Sequence, residues 1–249
     1  MLVLRTAYPG CPLCYGKGTV IRSELCSRHG VDYALTWMKC GDCGHVHTSH
    51  YFDEEEQKRL LSAVTEDGIF GGGIDEQRVR WGFVVERILR HVHPLGRWVD
   101  VGVGNGGFLF TASEFGLDVT GIDIRPFILE PLQKLGYKVE LADAMEYDYR
   151  GSSVVVLADI IEHMPYPKEL LKRIREQTRG ALFVSCPNMD TVSWRYSDSI
   201  GKSPYWTEPE HFHNFTRARL EDLLRECGFT PVDYAINSRY TSGMDVIAI

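Results

Sequence analysis

Cys11-Pro-Leu-Cys14 and Cys40-Gly-Asp-Cys43 each set two thiols three positions apart, and residues 15–39 separate the pairs. This spacing puts two thiolates on one turn, with Gly41 and Gly44 easing the tight backbone of the second pair. Two such turns make the tetrahedral sulfur set that zinc prefers and leave no open position. The ion expected at Cys11, Cys14, Cys40 and Cys43 is therefore structural. Redox-active CxxC pairs or free thiols are the other reading of the same spacing. Between the pairs, residues 19–22 and 31–38 read as short strands, as in a zinc ribbon. His45, His47 and His50 crowd the second pair; since four thiolates suffice, they are expected at the surface or in support. Cys26, Cys186 and Cys227 stand singly and are expected to pack as small apolar residues. Seven cysteines, an odd number, suit an intracellular, cytoplasmic protein better than a disulfide scaffold.

The second pointed motif is Asp100-Val-Gly102-Val-Gly104-Asn-Gly106-Gly107. Glycines let a strand-to-helix turn run close against a ligand while the helix N-terminus offers amide donors. Gly102, Gly104 and Gly107 also satisfy the dinucleotide fingerprint GxGxxG, and Asp123 would meet ribose hydroxyls under either reading. Two features decide between them. Asp100 sets a carboxylate two residues before the first glycine, where it can answer an ammonium group and would repel a pyrophosphate. Leu141-Ala142-Asp143-Ala144-Met145, after the third strand of this region, suits an exocyclic amine and the flank of a purine. A ligand with an amino acid at one end and adenosine at the other meets both demands, and S-adenosylmethionine is such a ligand.

Residues 75–249 resemble the class I S-adenosylmethionine-dependent methyltransferases, in the group that includes ubiquinone-biosynthesis-type enzymes. The resemblance rests on DxGxGxG at Asp100–Gly106, the acidic strand end at Asp123, and Asp143-Ala144. It rests also on Ala158-Asp159-Ile160-Ile161-Glu162-His163-Met164-Pro165 and on Pro209-Glu210-His211-Phe212-His213-Asn214-Phe215-Thr216. The head is similar to ribbons found on bacterial methyltransferases of sugar and natural-product pathways. The resemblance implies a Rossmann-like α/β fold with a seven-stranded, mostly parallel sheet. It implies that Asp100 and the Gly102–Gly106 backbone hold the methionyl end, that Asp123 holds the ribose, and that Asp143 holds the adenine amine above Ala144. Ile124 would pack on the adenine, and Asp159 would stand near the methyl-transfer point.

Methyl transfer is an in-line displacement that gains most from alignment and exclusion of water. An oxygen or protonated nitrogen must also lose a proton, for which histidine is the usual base near neutral pH. His163, His211 and His213 are the candidates. Residues 189–214 form an insertion rich in Trp194, Tyr196, Tyr205, Trp206 and Phe212, expected to be a substrate lid whose aromatics stack on a flat acceptor or instead pack the loop down. Arg195 and Lys202 in the same stretch suit an anionic group. The NPPY motif of amino-methylating nucleobase enzymes is replaced by Ala158-Asp159-Ile160-Ile161. The chain stops directly after its last expected strand, so the extra C-terminal domain of zinc-headed sugar C-methylating enzymes is not expected. O- or N-methylation of a small molecule (a sugar, a quinone-like ring or a secondary metabolite) is the favoured reading. RNA or protein docked by the ribbon, a non-catalytic scaffold that binds the cofactor, and a nicotinamide-dependent oxidoreductase are the rivals.

The elements that must position these residues alternate. Strands are expected at 97–102, 117–122, 137–141, 154–158, 181–185, 230–236 and 244–249, with helices at 75–91, 108–115, 125–135, 167–178 and 216–226. The first helix is expected to bury Val79, Phe83, Val84, Ile88 and Leu89. Such alternation implies a mostly parallel sheet covered on both faces, with ligands at the carboxyl ends of the strands. Residues 1–50 form the ribbon-like module and 51–74 a linker; there Asp53 caps a short acidic helix and Thr65–Gly73 makes a hinge.

With 44% hydrophobic and 24% charged residues, the chain reads as globular rather than disordered. It has neither a membrane-spanning run nor a signal-peptide pattern. Net charge is −7. The first fifty residues carry Arg5, Lys17, Arg22, Arg28 and Lys39 against Glu24, Asp32 and Asp42, leaving an acidic core that disfavours nucleic acid as partner.

Overall fold

The computed structural model describes residues 5–28, 30–66 and 74–249. From Asp67 onward the expected hinge lies outside the described residues; Thr65 and Glu66 belong to the preceding helix. The head consists of β1 (Arg5–Ala7), β2 (Gly18–Arg28), β3 (Val31–Cys40), β4 (Val46–Thr48) and β5 (His50–Phe52). Helix α1 (Glu54–Glu66) follows, its start fixed by the Asp53 carboxylate accepting from the Glu56 amide at 2.8 Å. Tyr51 and Phe52, read as linker, pair with β1 instead.

The core comprises α2 (Ile74–Leu89), β6 (Arg97–Val101), α3 (Gly107–Glu114), β7 (Asp118–Asp123), α4 (Pro126–Lys134), β8 (Val139–Leu141), β9 (Ser152–Ala158), α5 (Pro167–Gln177) and β10 (Ala181–Pro187). Helix α6 (Val192–Ser199), β11 (His213–Asn214), α7 (Arg217–Glu226), β12 (Pro231–Ile236) and β13 (Gly243–Ala248) complete it. Its seven-stranded sheet runs β12-β13-β10-β9-β6-β7-β8. Strands β8 to β10 in that row are parallel; β13 runs antiparallel between β10 and β12. Both faces are buried, which explains the continuous apolar runs. Alternate residues serve opposite cores: Trp98, Val154, Val156 and Phe183 pack on one face, Val99, Val155, Leu157 and Val184 on the other.

Helix α2 corrects one expectation. Its buried stripe is Trp81, Val84, Val85 and Ile88, spaced i, i+3, i+4, i+7 as a covering helix requires. Val79 and Phe83 are 60% and 59% exposed: the large Trp81 ring, seated against Phe108, sets the helix's rotation.

The insertion is not a bare loop. Thr191 caps α6 through its hydroxyl, and β11 joins the ribbon sheet, whose order is β11-β4-β3-β2. Trp194, Trp206 and Phe212 are buried against Tyr33, Leu35, Trp37, Phe52 and Leu60 in a third apolar cluster between head and core. Phe212→Ala empties the middle of that cluster and is expected to cost about 3–5 kcal/mol of unfolding free energy. A chemical-denaturation loss below about 1 kcal/mol would show that this seam contributes little.

Candidate active site

The carboxyl ends of β6, β7, β8 and β9 meet at one edge of the sheet. After β6 the chain turns through Gly102, Gly104 and Gly106 with φ of 72°, 55° and 82°, the left-handed region that side-chain-bearing residues avoid. A Cβ on Gly102 would strike the Ile160 side chain. The turn delivers α3, whose first amides face the same edge. Asp100 is 2% exposed, and its Oδ2 has no partner. Burial, and then the nearby Asp123 carboxylate, push its pKa up to about 8. A carboxyl in this state keeps its proton until a cation reaches it.

Asp123 at the end of β7 is held differently. Its carboxylate accepts from Arg125 Nε at 2.8 Å and Nη2 at 2.7 Å, and from the Arg125 amide at 2.9 Å. Arg125 also donates through Nη1 to the Leu61 carbonyl of α1 at 3.1 Å, so the helix after the head is tied to this corner. Ile124 beside it is half-buried. Asp143 turns one oxygen back to the Met145 amide at 2.7 Å, and Ala144 is buried below.

Asp159 ends β9 with φ 57°, a conformation that aspartate tolerates. Its carboxylate accepts from Tyr240 Oη at 2.7 Å and Arg239 Nη1 at 2.7 Å. Arg239 and Asn237 also donate to Ser185 Oγ, and the Arg239 guanidinium lies over Trp81 at 4.3 Å. Asp159 is thus neutralised by a polar cluster from the β12–β13 hairpin, which the sequence did not reveal because Arg239 lies 80 positions away.

The next turn, 160–165, brings Glu162 and His163 against His211. One ligand atom from each lies within 4.8 Å of the others. Glu162 is 1% exposed with Oε2 unpartnered, and burial, then Asp159, raises its pKa. His163 Nδ1 donates to the Glu210 carbonyl at 2.9 Å, so the neutral ring keeps its lone pair on Nε2. His211 Nδ1 stands 3.1 Å from Glu208 Oε2, without hydrogen-bond alignment. Burial, then Glu210, lifts the Glu208 pKa to about 7; burial, then His163, lowers that of His211.

His213 is placed apart from these. Its Nε2 donates to the Met164 carbonyl at 2.8 Å, and its Nδ1 lies 3.0 Å from His45 Nε2. The carbonyl demands a proton on His213 Nε2, so His45 Nε2 must be the donor to Nδ1. Both nitrogens of His213 are therefore engaged, and burial holds its pKa at about 3. Of the surface and supporting places expected for these histidines, His45 and His47 do not take the surface one: both are buried, His47 on β4 under β11 and His45 just before it.

A family model described as a methyltransferase domain matches residues 75–234. The chain belongs to that family of methyltransferases. Solved structures with this fold include a 1,6-didemethyltoxoflavin N1-methyltransferase from Burkholderia thailandensis, crystallised with 1,6-didemethyltoxoflavin and S-adenosylhomocysteine. It is 17% identical over 93% of this chain and 97% of its own, with a TM-score of 0.59. The magnesium protoporphyrin IX methyltransferase of Synechocystis is 17% identical over 70% and 82%, TM-score 0.57. An S-adenosylmethionine-dependent methyltransferase from Archaeoglobus fulgidus is 19% identical over 69% and 93%, TM-score 0.53. No curated protein matches the chain's sequence. The methyltransferase has, among its described residues, no helix long and apolar enough to cross a membrane.

The four cysteines of this methyltransferase converge. Sγ atoms of Cys11 and Cys43 are 3.7 Å apart, Cys14 and Cys40 3.5 Å, Cys14 and Cys43 3.4 Å. With Zn–S bonds of ~2.3 Å a tetrahedral site has edges of about 3.8 Å, so the set could close on one ion with little movement. Cys186 and Cys227 are buried as expected, and Cys26 is half-buried.

The Asp100 environment predicts how the ligand-free protein responds to pH. The folded state keeps a proton to about 8 that the unfolded chain gives up near pH ~4. The folded state binds more protons between those values, so this group's effect is a loss of stability as pH rises through them. Asp100→Asn removes the effect. Relative to that variant, the wild type is expected to lose more than about 1 kcal/mol between roughly pH 5 and pH 8. Parallel denaturation profiles for the two proteins would contradict the assignment.

Proposed function

We propose that the methyltransferase moves the methyl group of S-adenosylmethionine onto an oxygen or nitrogen of a small molecule, in the cytoplasm. A sugar, a quinone-like ring or a secondary metabolite is the class intended. The observation that carries this reading is the juxtaposition of a cation-hungry glycine turn with a histidine–carboxylate group at the same sheet edge. When bound, S-adenosylmethionine supplies a methyl on a sulfonium that already carries a good leaving group. Asp100, buried with an unpaired oxygen, fits the ammonium of its methionyl end, beside the Gly102, Gly104 and Gly106 backbone. Asp123 fits the ribose hydroxyls, with Arg125 holding its carboxylate in place. Asp143 suits the adenine amine, with Ala144 and Ile124 flanking the ring. Asp159 is assigned to hold the wall of the transfer point through Arg239 and Tyr240.

His211 is assigned as general base. Glu208 behind it orients the ring and offsets the charge that the ring takes up, as a carboxylate does for a catalytic imidazole. His163 keeps its Nε2 lone pair toward the same group and lines the acceptor, while His213 serves as a strut. The four cysteines are assigned to one structural Zn2+, which would hold the head as a wall of the site.

Three results would check this reading. Methyl-labelled S-adenosylmethionine, added with enzyme to an extract of the source cell, is expected to label the small-molecule fraction. Label in RNA, DNA or protein would overturn the substrate class. Asp123→Ala is expected to weaken S-adenosylhomocysteine by roughly 10–100-fold in calorimetry, as loss of hydrogen bonds to a charged group predicts; unchanged affinity would remove Asp123 from the ribose. His211→Ala is expected to lower kcat by about 10²–10⁴-fold. For the wild type, kcat/KM should rise with pH through about 7, where the Glu208–His211 pair loses its proton, and Glu208→Gln should abolish that inflection.

A further inference from the structure

Several buried polar atoms around His211 lack hydrogen-bond partners. Glu162 offers an unpartnered Oε2, Glu210 another, and Glu208 Oε2 faces the unpartnered Nδ1 of His211. His163 adds a lone pair on Nε2, because its only N–H is spent on the Glu210 carbonyl. Glu162, Glu210 and His211 are all more than nine-tenths buried, so water does not freely compensate them. The chain supplies little positive charge in return. Arg28 reaches Glu210 alone, at 3.4 Å. Arg239 is engaged by Asp159 and Arg125 by Asp123. A cation with several N–H donors would let these buried carboxyls ionise and would meet the lone pairs that face it.

Resting on the methyl-transfer reading above, we infer that the acceptor is an amine, which enters as an ammonium group seated among Glu162, His163 and His211 and is methylated on nitrogen. The spacing suits it. An ammonium nitrogen about 2.8 Å from three acceptors in tetrahedral directions separates them by about 4.6 Å, a spacing open to three ligand atoms that all lie within 4.8 Å of one another. A hydroxyl brings one donor and no charge, leaving most of these acceptors bare.

The chemistry suits an amine as well. One ammonium proton passes to the His211–Glu208 pair. The freed nitrogen lone pair then forms the N–C bond as the C–S bond breaks. The sulfur keeps that electron pair and becomes the thioether of S-adenosylhomocysteine, and the nitrogen becomes a methylated ammonium. The positive charge of the sulfonium thus arrives at nitrogen, where the unpaired carboxylates stabilise it as it develops. The proton on the pair leaves to solvent with the product. An alcohol would need a stronger base than imidazoles whose basicity burial has reduced.

The test uses [13C-methyl]S-adenosylmethionine, the zinc-loaded full-length enzyme and the source-cell extract, with the product read by proton–carbon correlation. The methyl carbon shift separates N–CH3 from O–CH3 and C–CH3. An N-methyl product is expected, formed equally well with or without added Mg2+ or Mn2+. Glu162→Gln should form it at least 10-fold more slowly while binding S-adenosylhomocysteine and melting as the wild type does. An O-methyl or C-methyl product overturns the inference, and so does a product whose formation requires the added divalent ion. Absence of any labelled small molecule, with S-adenosylhomocysteine still bound, overturns instead the methyl-transfer reading beneath it.

Discussion

Carboxyl groups buried without countercharge set the terms for the rest of this structure. Around the ends of the parallel strands, acidic side chains are neutralised unequally. Arg125 holds Asp123, and Arg239 with Tyr240 holds Asp159. Asp100, Glu162 and Glu208 have oxygens with no partner, and Glu210 has only a distant Arg28. A buried carboxylate left alone costs several kcal/mol, and burial accordingly raises the pKa values of Asp100 and Glu162, which favours their protonated forms in the empty protein. They ionise when a cation arrives. The two arginine-held acids fix the frame, and the unheld ones define where positive charge is wanted. Those places lie at the glycine turn and at the His163–His211 wall.

That wall stays in place because the head holds it. The turn carrying Glu162 and His163 has almost every carbonyl taken by another segment. Phe212 N donates to Glu162 O, and Gln57 of α1 to His163 O. His213 donates to Met164 O, and Tyr8 of the head to Pro165 O. The amide of Thr48 in β4 then binds Phe212 O at 2.9 Å. Tyr8, Thr48 and Gln57, far from the chemistry in sequence, thereby help hold the backbone on which the proposed base group stands. A small change at these residues would be transmitted to the active site through hydrogen bonds rather than through any direct contact with ligand.

Much of the core was legible from pattern alone. Strand and helix limits around Asp100, Asp123 and Asp159 fell within a few residues, since a sheet buried on both faces writes its strands as apolar runs. The two cysteine pairs and the glycine turn were legible because their chemistry is local in sequence. Contacts between distant segments were not. Nothing near His45 announces His213, and nothing near Asp159 announces Arg239. The rotation of α2 depended on where Trp81 found a partner. The aromatics of the insertion were read either as stacking on an acceptor or as packing the loop down, and Trp194, Trp206 and Phe212 take the second course in the seam with the head. A hydrophobic residue in a loop does not reveal which surface it will cover.

The strand β11 gives the head a peculiar dependence. Its two residues complete a sheet whose other strands all lie before residue 49, and His213 reaches across 168 positions to His45. On the ribosome, domains tend to close in the order they emerge. Here the head has only three strands of its four-stranded sheet, and Tyr33 and Trp37 lack part of their cover, until the residues after Trp206 have been made. A module made before the core is thus among the last to close.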